Sequence, residues 1–261
     1  MAFHKDGRLS GASILPITRD PVLGLLYLCL GKEFPAARWI ESRMWGDFGG
    51  SVLSGGSQDA EQQKEDAEAC ASREAMEETC GVLCFITSSG CVMESHESLE
   101  AGLREKEYVM RLDFGYGNFR SYTMFLVEFK FDAEIGRKYK MHLEETLKKS
   151  STLDLIEKES ICLISLQDAM HQLNYKDSNL KQRSCSKRGR LAIQLRNSFI
   201  HRLVPLLTYL LLLGVIHSTY YIHQSKNTSR TCGTRDVFTE IGALRNRTSL
   251  LRSSVSHEAH G

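Results

Sequence analysis

The sequence predicts an α/β fold, and two observations indicate it. Short apolar segments rich in β-branched and aromatic residues recur along the chain and favour strands; they cover residues 10–18, 22–31, 108–114, 121–131 and 160–166. Between them, residues 65–79 have the composition of a helix, because Ala, Glu and Met dominate and Gly81 follows as a C-terminal cap. Strands before and after a helix indicate an α/β domain.

The first two strands are expected to form a hairpin. The turn residues Arg19-Asp20-Pro21 separate them, and the second strand is apolar enough to be buried on both faces. Residues 32–44 are polar and predict a loop. The run WGDFGGSVLSGG at 45–56 is rich in glycine, which suits tight backbone turns.

One face of the predicted helix is suited to packing, because small and apolar residues recur near helical spacing. These residues are Ala67, Cys70, Ala71, Ala75 and Met76. Farther along, residues 132–152 are mixed and polar, and no regular element is assigned to them. Residues 167–170 follow the last strand and predict a helix start.

Composition limits the class of protein. The chain has 261 residues, 42% hydrophobic and 25% charged, which allows one domain with extensions or two small domains. A net charge of +1 argues against a strongly basic nucleic-acid binder. Eight cysteines are scattered with no CxxC pair, so free thiols in a reducing compartment are expected. The N-terminal residues MAFHKDGRLSGAS contain no apolar stretch typical of a secretory signal.

The predicted helix carries an unusual density of charge. Glu74, Glu77 and Glu78 stand three and four positions apart and therefore project from one side, where like charges repel. Hard oxygen ligands grouped in this way suit Mg²⁺ or Mn²⁺. Arg73 lies four positions before Glu77 and can orient it, and Glu65 lies about two turns upstream of Arg73. The alternative reading is a solvated acidic helix face.

The order of these residues resembles the signature of the Nudix hydrolase family, G-x5-E-x7-R-E-U-x-E-E-x-G-U, where U is a bulky apolar residue. Arg73, Glu74, Glu77 and Glu78 match position for position within REAMEETCGV, and Glu65 stands at the correct distance before Arg73. The specific motif support runs from 45 to 82, within a resemblance that covers roughly residues 8–175.

Three positions depart from this pattern. Ala75 replaces a larger apolar residue, and Cys80 stands where the closing glycine belongs, with Gly81 one residue late. Counting back from Glu65 leads to Asp59 instead of the leading glycine. The pair Gly49-Gly50 in WGDFGG is the best counterpart of that glycine, and the loop into the helix is then longer than usual.

The resemblance implies an α/β/α sandwich around a mixed sheet and cleavage of a nucleoside diphosphate linked to another moiety, with Mg²⁺ or Mn²⁺ as cofactor. It implies Glu74, Glu77 and Glu78 as metal ligands, Glu74 and Glu77 as catalytic groups, and Arg73 as an orienting partner. Gly50 and Glu65 are weaker candidates on the substrate side.

The general base varies within the family, and an acidic residue of a later loop often serves. The candidates here are Glu144, Glu145, Glu157 and Glu159. Trp45, Phe48, Tyr108 and Tyr122 could stack a nucleobase or pack in the core.

Three segments follow the predicted catalytic domain at 1–175: a basic linker at 176–199, an apolar helix at 200–222 and a disordered tail at 223–261. Residues 203–222 have about the length of a membrane span, which predicts a C-terminal anchor with the catalytic domain on the cytoplasmic face. The alternative is an amphipathic or buried helix packed on the domain.

The sequence therefore predicts a metal-dependent pyrophosphohydrolase that acts on a small nucleoside diphosphate derivative. A capped RNA end is a second substrate class, because the basic run at 181–202 could attract polyphosphate. The alternative function is a non-catalytic binding module that keeps the fold and recognises a nucleotide or a capped RNA end. The sequence does not indicate an oligomeric state.

Overall fold

A mixed sheet forms the centre of the described part of the chain. In the computed structural model, which describes residues 8–35, 41–53, 65–116, 120–149, 157–177 and 193–212, the described residues belong to one compact unit. The strands are β1 (Arg8–Arg19), β2 (Leu26–Glu33), β3 (Trp45–Gly46), β4 (Phe48–Ser51), β5 (Phe85–Ile86), β6 (Val92–Met93), β7 (Met110–Tyr116), β8 (Arg120–Glu128) and β9 (Lys158–Ser165). The helices are α1 (Ala67–Glu78), α2 (His96–Arg104), α3 (Ile135–Lys149), α4 (Leu166–Asp177) and α5 (Asn197–Leu212).

Seven of the described strands make the main sheet, in the order β3-β2-β1-β8-β7, with β4 paired to β1 and β9 paired to β2. The pairing of β1 with β8 is parallel and the others are antiparallel. Strands β5 and β6 form a separate two-stranded sheet. The predicted mixed α/β architecture is confirmed at this level.

The predicted hairpin of β1 and β2 is present, with Ile17 opposite Leu28. Its turn is longer than predicted, because Asp20 Oδ1 accepts hydrogen bonds from the N–H groups of Val22 and Leu23. These bonds close a local turn, so β2 begins only at Leu26. The four residues 22–25 are therefore turn and not strand.

Helix α3 occupies a segment that the sequence left unassigned. Its buried residues Ile135, Tyr139 and Leu143 recur at a spacing of four, so only a narrow stripe of an otherwise polar helix faces the core. Helix α2 was also missed. It begins at a capping box in which Ser95 and Ser98 bond each other's backbone N–H.

Helices cover both faces of the sheet. Residues of α1, α2 and α3 share one core with Ala12 and Ile14 of β1. Ser13 points to the opposite face because successive strand residues alternate. There its hydroxyl donates to Asp47, which is also bound by Arg202 of α5. Helix α5 thus lies across the sheet from α1.

The described part of the predicted membrane segment is a half-buried helix. Helix α5 turns one face to the domain, with Phe199, Leu203, Leu206, Leu207 and Leu210 buried. At its start, the Glu41 carboxylate accepts hydrogen bonds from Asn197 N–H and Ser198 N–H. Among the described residues, no helix is both long and apolar enough to cross a bilayer. The anchor prediction is not supported over 203–212, and residues 213–222 and the predicted tail lie outside the described part of the chain.

Candidate active site

Arg73 stands at the centre of the charged residues that the sequence analysis singled out. Its Nε donates to Glu65 Oε1 at 2.8 Å, and its Nη1 lies 2.8 Å from Glu74 Oε1 and 3.2 Å from Glu77 Oε2. The long loop before α1 does not displace Glu65, because Leu53 N–H donates to Glu65 Oε2 at 2.7 Å. The hydrogen bonds that Arg73 donates to Glu65 raise the pKa of Arg73, so the guanidinium is permanently charged.

Glu74 lies against the backbone of Gly50. A Cβ atom at Gly50 would lie 2.4 Å from Glu74 Oε1 and 2.6 Å from its carboxyl carbon, so only glycine leaves room for this side chain. Burial raises the pKa of Glu74, and the charges of Glu77 and Glu157 raise it further against the opposing effect of Arg73. The carboxylate is thus held in a crowded, electronegative position that a cation would stabilise.

Gly50→Ala is expected to lower any hydrolytic activity by about 10- to 100-fold, since a small misplacement of a reacting group has effects of this size. The new Cβ meets the movable end of Glu74 and not backbone, so the free energy of unfolding should change by no more than about 1 kcal/mol.

Gly49→Ala is the matched control. Its Cβ would lie 2.2 Å from Ser13 Cβ and 2.4 Å from the Ala12 carbonyl oxygen, both in β1. Because neither atom can move cheaply, this variant should lose about 1–3 kcal/mol of stability in urea unfolding. Equal losses of stability in the two alanine variants would contradict the assigned contact between Gly50 and Glu74.

Glu78 is placed differently from the other two glutamates. Its side chain is 1% exposed, and its Oε2 accepts a hydrogen bond from Gly49 N–H at 2.7 Å. Its Oε1 lies 2.8 Å from Nζ of Lys158, a fully buried lysine that also binds Glu33. Both carboxylate oxygens of Glu78 therefore contact groups of the chain itself.

The charge state of this buried pair follows from its contacts. Burial lowers the pKa of Lys158, but the charges of Glu78 and Glu33 outweigh it and raise the pKa. Burial outweighs the opposing effect of Lys158 and raises the pKa of Glu78 to about 8. The ammonium and the Gly49 N–H each contact one carboxylate oxygen of Glu78, so the geometry is that of an ion pair with a supporting backbone hydrogen bond.

The glutamates on this face of α1 offer the oxygen ligands that a divalent cation prefers, but their side chains do not converge on one position. Within the described ranges, no three His, Cys, Asp or Glu side chains converge as a metal site. Arg73 holds Glu74 and Glu77, and Lys158 holds Glu78. Glu74 and Glu77 fit a hard cation because one is crowded by like charge and the other is partly exposed.

Only one of the four candidates for the general base lies near the motif. The charge of Glu157 raises the pKa of both Glu74 and Glu78, and its backbone is fixed because its carbonyl oxygen accepts from Phe34 N–H. Glu159 forms an ion pair with Lys32 instead. Glu144 and Glu145 lie exposed on α3.

The end of the motif shows why glycine is usual there. Cys80, in the place of the closing glycine, has a φ of 52°, and the next residue, Gly81, has a φ of 64°. Helix α1 ends at Glu78 with Thr79 as its C-cap. The left-handed conformation costs a residue with a Cβ about 1–2 kcal/mol.

Cys80→Gly should be more stable than Cys80→Ala by about 1 kcal/mol, since both lose the thiol and only glycine relieves the strain. Urea unfolding of the two variants at one pH gives this difference directly. Equal stability would show that the φ of 52° carries no cost at this position.

Two buried ion pairs gave no sequence signal. Lys158 is 80 positions from Glu78, and Asp47 is 155 positions from Arg202, so no local spacing connects either pair.

Most of the aromatic candidates for base stacking are already packed against other residues. Trp45 and Phe48 are buried, and the ring of Tyr122 lies under the Arg202 guanidinium at 4.4 Å.

The chain is similar to several solved structures at low sequence identity. No family model and no curated protein matches the sequence. Among solved structures, a binary complex of an Ap4A hydrolase from C. elegans is 13% identical, covers 76% of this chain and 98% of its own, and has a TM-score of 0.34. The Nudix hydrolase RenU from M. smegmatis is 13% identical over 78% of this chain and 88% of its own, with a TM-score of 0.37.

A third match is the NUDIX domain of Shewanella oneidensis NrtR in complex with ADP ribose. It is 11% identical, covers 80% of this chain and 90% of its own, and has a TM-score of 0.39. At these values of identity and TM-score the matches carry no argument about activity, so the function of this chain must be argued from its own motif and geometry.

Proposed function

We propose that this Nudix-like protein is a hydrolase that cleaves the pyrophosphate linkage of a nucleoside diphosphate derivative, with Mg²⁺ or Mn²⁺ as cofactor. The observation that supports this most is the arrangement around Arg73. Glu65, eight positions before Arg73, holds its guanidinium, and Gly50 of β4 leaves the space that Glu74 occupies. A solvated acidic helix face does not need a glycine-lined position for one of its glutamates.

The proposed reaction is attack of water on one phosphorus of the pyrophosphate. A new P–O bond forms to the water oxygen, the bond to the bridging oxygen breaks, and the second phosphate leaves with that electron pair. The water proton passes to a carboxylate, for which Glu74 and Glu157 are the candidates. Arg73 holds Glu74 and Glu77 in orientation and is itself held by Glu65.

The metal ligands that fit best are Glu74 and Glu77. A bound divalent cation would neutralise the charge that develops on the phosphoryl oxygens. Glu78 completes the ligand set implied by the motif, but it can join only if Oε1 leaves Lys158. Gly50 serves the site by leaving space for Glu74.

A substrate panel tests the proposal. The full-length protein is incubated with ADP-ribose, Ap4A, NADH, a nucleoside triphosphate and a capped RNA, each with Mg²⁺, with Mn²⁺ and with EDTA. We expect metal-dependent release of a nucleoside monophosphate from at least one small substrate, detected by chromatography. Absence of turnover on every compound with both metals would remove the hydrolase assignment.

Glu157→Gln tests which of the later glutamates serves as the general base. We expect this variant to lose at least about 100-fold in kcat because a general base contributes that much or more. Glu144→Gln, an exposed change on α3, should stay within about twofold of the parent protein. A larger loss in Glu144→Gln would move the base to α3.

The second candidate function is a binding module without turnover. It is favoured by one observation, namely that no three described carboxylates converge on a cation position. The same panel distinguishes it, because calorimetric binding of a nucleotide with no product in the presence of Mg²⁺ or Mn²⁺ would identify a binding module.

A further inference from the structure

Lys158 is a buried cation that the proposed reaction does not use. Its Nζ lies 2.5 Å from Glu33 Oε1 and 2.8 Å from Glu78 Oε1, and none of the three side chains is more than 1% exposed. Room for its stem is left by Gly31 of β2, where a Cβ would lie 2.9 Å from Lys158 Cδ. Its carbonyl oxygen accepts a hydrogen bond from the buried Tyr139 hydroxyl at 2.7 Å.

The charges around Lys158 balance. Glu33 Oε1 also accepts from Arg196 Nη1 at 2.5 Å, so two buried carboxylates meet two cations. A buried carboxylate without a partner is strongly destabilising. Within the described residues, Glu78 Oε1 makes an ion pair with the ammonium of Lys158 and no hydrogen bond in addition. The ammonium is therefore the partner of this oxygen.

We infer that Lys158 is a resident cation at Glu78, so that Glu78 acts as a positioning residue and not as a metal ligand in this protein. The inference rests on the proposed function, in which a divalent cation is held by Glu74 and Glu77. With Oε1 bound to Lys158, Glu78 uses Oε2 to fix Gly49 N–H, and the next residue, Gly50, supports Glu74. Lys158 thereby acts on the site through Glu78 and the glycine pair.

Metal affinity distinguishes the two roles of glutamate. Calorimetric titration with Mn²⁺ is carried out on the parent protein, Glu74→Gln and Glu78→Gln. Glu74→Gln should weaken Mn²⁺ binding at least about tenfold, as expected for a lost ligand. Glu78→Gln should stay within about threefold, because its amide oxygen can still accept from Gly49 N–H. A loss in Glu78→Gln as large as that in Glu74→Gln would overturn the inference.

Thermal unfolding tests the ion pair without metal. Lys158→Met should lower the Tm by about 10 °C, because it leaves Glu78 buried and without its counter-charge. The double variant Lys158→Met/Glu78→Gln should recover part of that loss. If Lys158→Met yields no folded protein, recovery of folded protein in the double variant supports the pairing, and no recovery contradicts it.

The two measurements separate this inference from the proposed function. Absence of Mn²⁺ uptake by the parent protein would count against the proposed metal-dependent hydrolase only. The Tm measurements would then decide the role of Lys158 by themselves. If the Tm losses of Lys158→Met and Glu78→Gln add up in the double variant, the two residues are not coupled and the resident cation is refuted.

Discussion

Glu74→Gln is expected to lower kcat/KM on the best substrate of the panel by about 100- to 10,000-fold. The lost carboxylate serves the proposed site as metal ligand or as base, and each of these roles contributes on this scale. Stability should change little, since Gln fits the space beside Gly50 that Glu74 occupies. Initial rates at saturating Mg²⁺, with circular dichroism of each variant, measure both effects.

The control for this substitution lies on the same helix. Glu68 pairs with Arg111 of β7 at 2.7 Å, away from Arg73, so Glu68→Gln removes one acidic charge of α1 without touching the proposed ligands. Its kcat/KM should stay within about threefold of the parent value. A comparable loss in both variants would mean that the overall negative charge of α1 matters and that the Nudix-like spacing does not.

Arg202→Met is expected to destabilise the folded protein by about 3–5 kcal/mol, or about 10 °C in Tm. Arg202 is 4% exposed and binds both oxygens of Asp47, at 2.7 and 3.0 Å. The substitution leaves the buried Asp47 carboxylate without the charge of Arg202, and it also removes the stacking of the guanidinium on Tyr122. Urea unfolding at pH 7 measures the loss.

A lower pH should reduce the difference in the free energy of unfolding between Arg202→Met and the parent protein. Burial raises the pKa of Asp47, but the charges of Arg202 and Arg196 and the Ser13 hydroxyl outweigh it, so the pKa lies below its usual 3.8. A lowered carboxyl pKa contributes stability above the unfolded pKa, and this contribution is lost as pH falls through the folded pKa. The difference in unfolding free energy should therefore be largest at pH 7 and smaller near pH 3.

Two variants complete this experiment. Arg137→Met removes a cation paired with Glu134 on the surface of α3 and should cost no more than about 0.5 kcal/mol. Asp47→Asn combined with Arg202→Met should cost less than the sum of the two single changes, because it leaves no uncompensated charge. If the difference in unfolding free energy between Arg202→Met and the parent protein does not change with pH, the pairing of Arg202 with Asp47 is contradicted.

The motif and the interior strands could be predicted from the sequence because their signals are local. Helix α1 follows from its composition, and the contact of Arg73 with Glu77 follows from helical periodicity. Helix α3 could not be predicted, since most of its residues face water and three buried residues make a weak pattern. The apolar segment from 203 onward gave a signal that a membrane span and a packed helix share.

The sequence alone determined which residue types line one side of α1 and in what order, because the helical repeat places Glu74, Glu77 and Glu78 together once the helix forms. Only the tertiary structure decided what each glutamate contacts. Glu74 meets Gly50, while Glu78 meets Gly49 and Lys158, through strands that are distant in the chain. The physical reason is burial, since a carboxylate removed from water must find a partner, and the sheet supplies one that spacing along the chain does not specify.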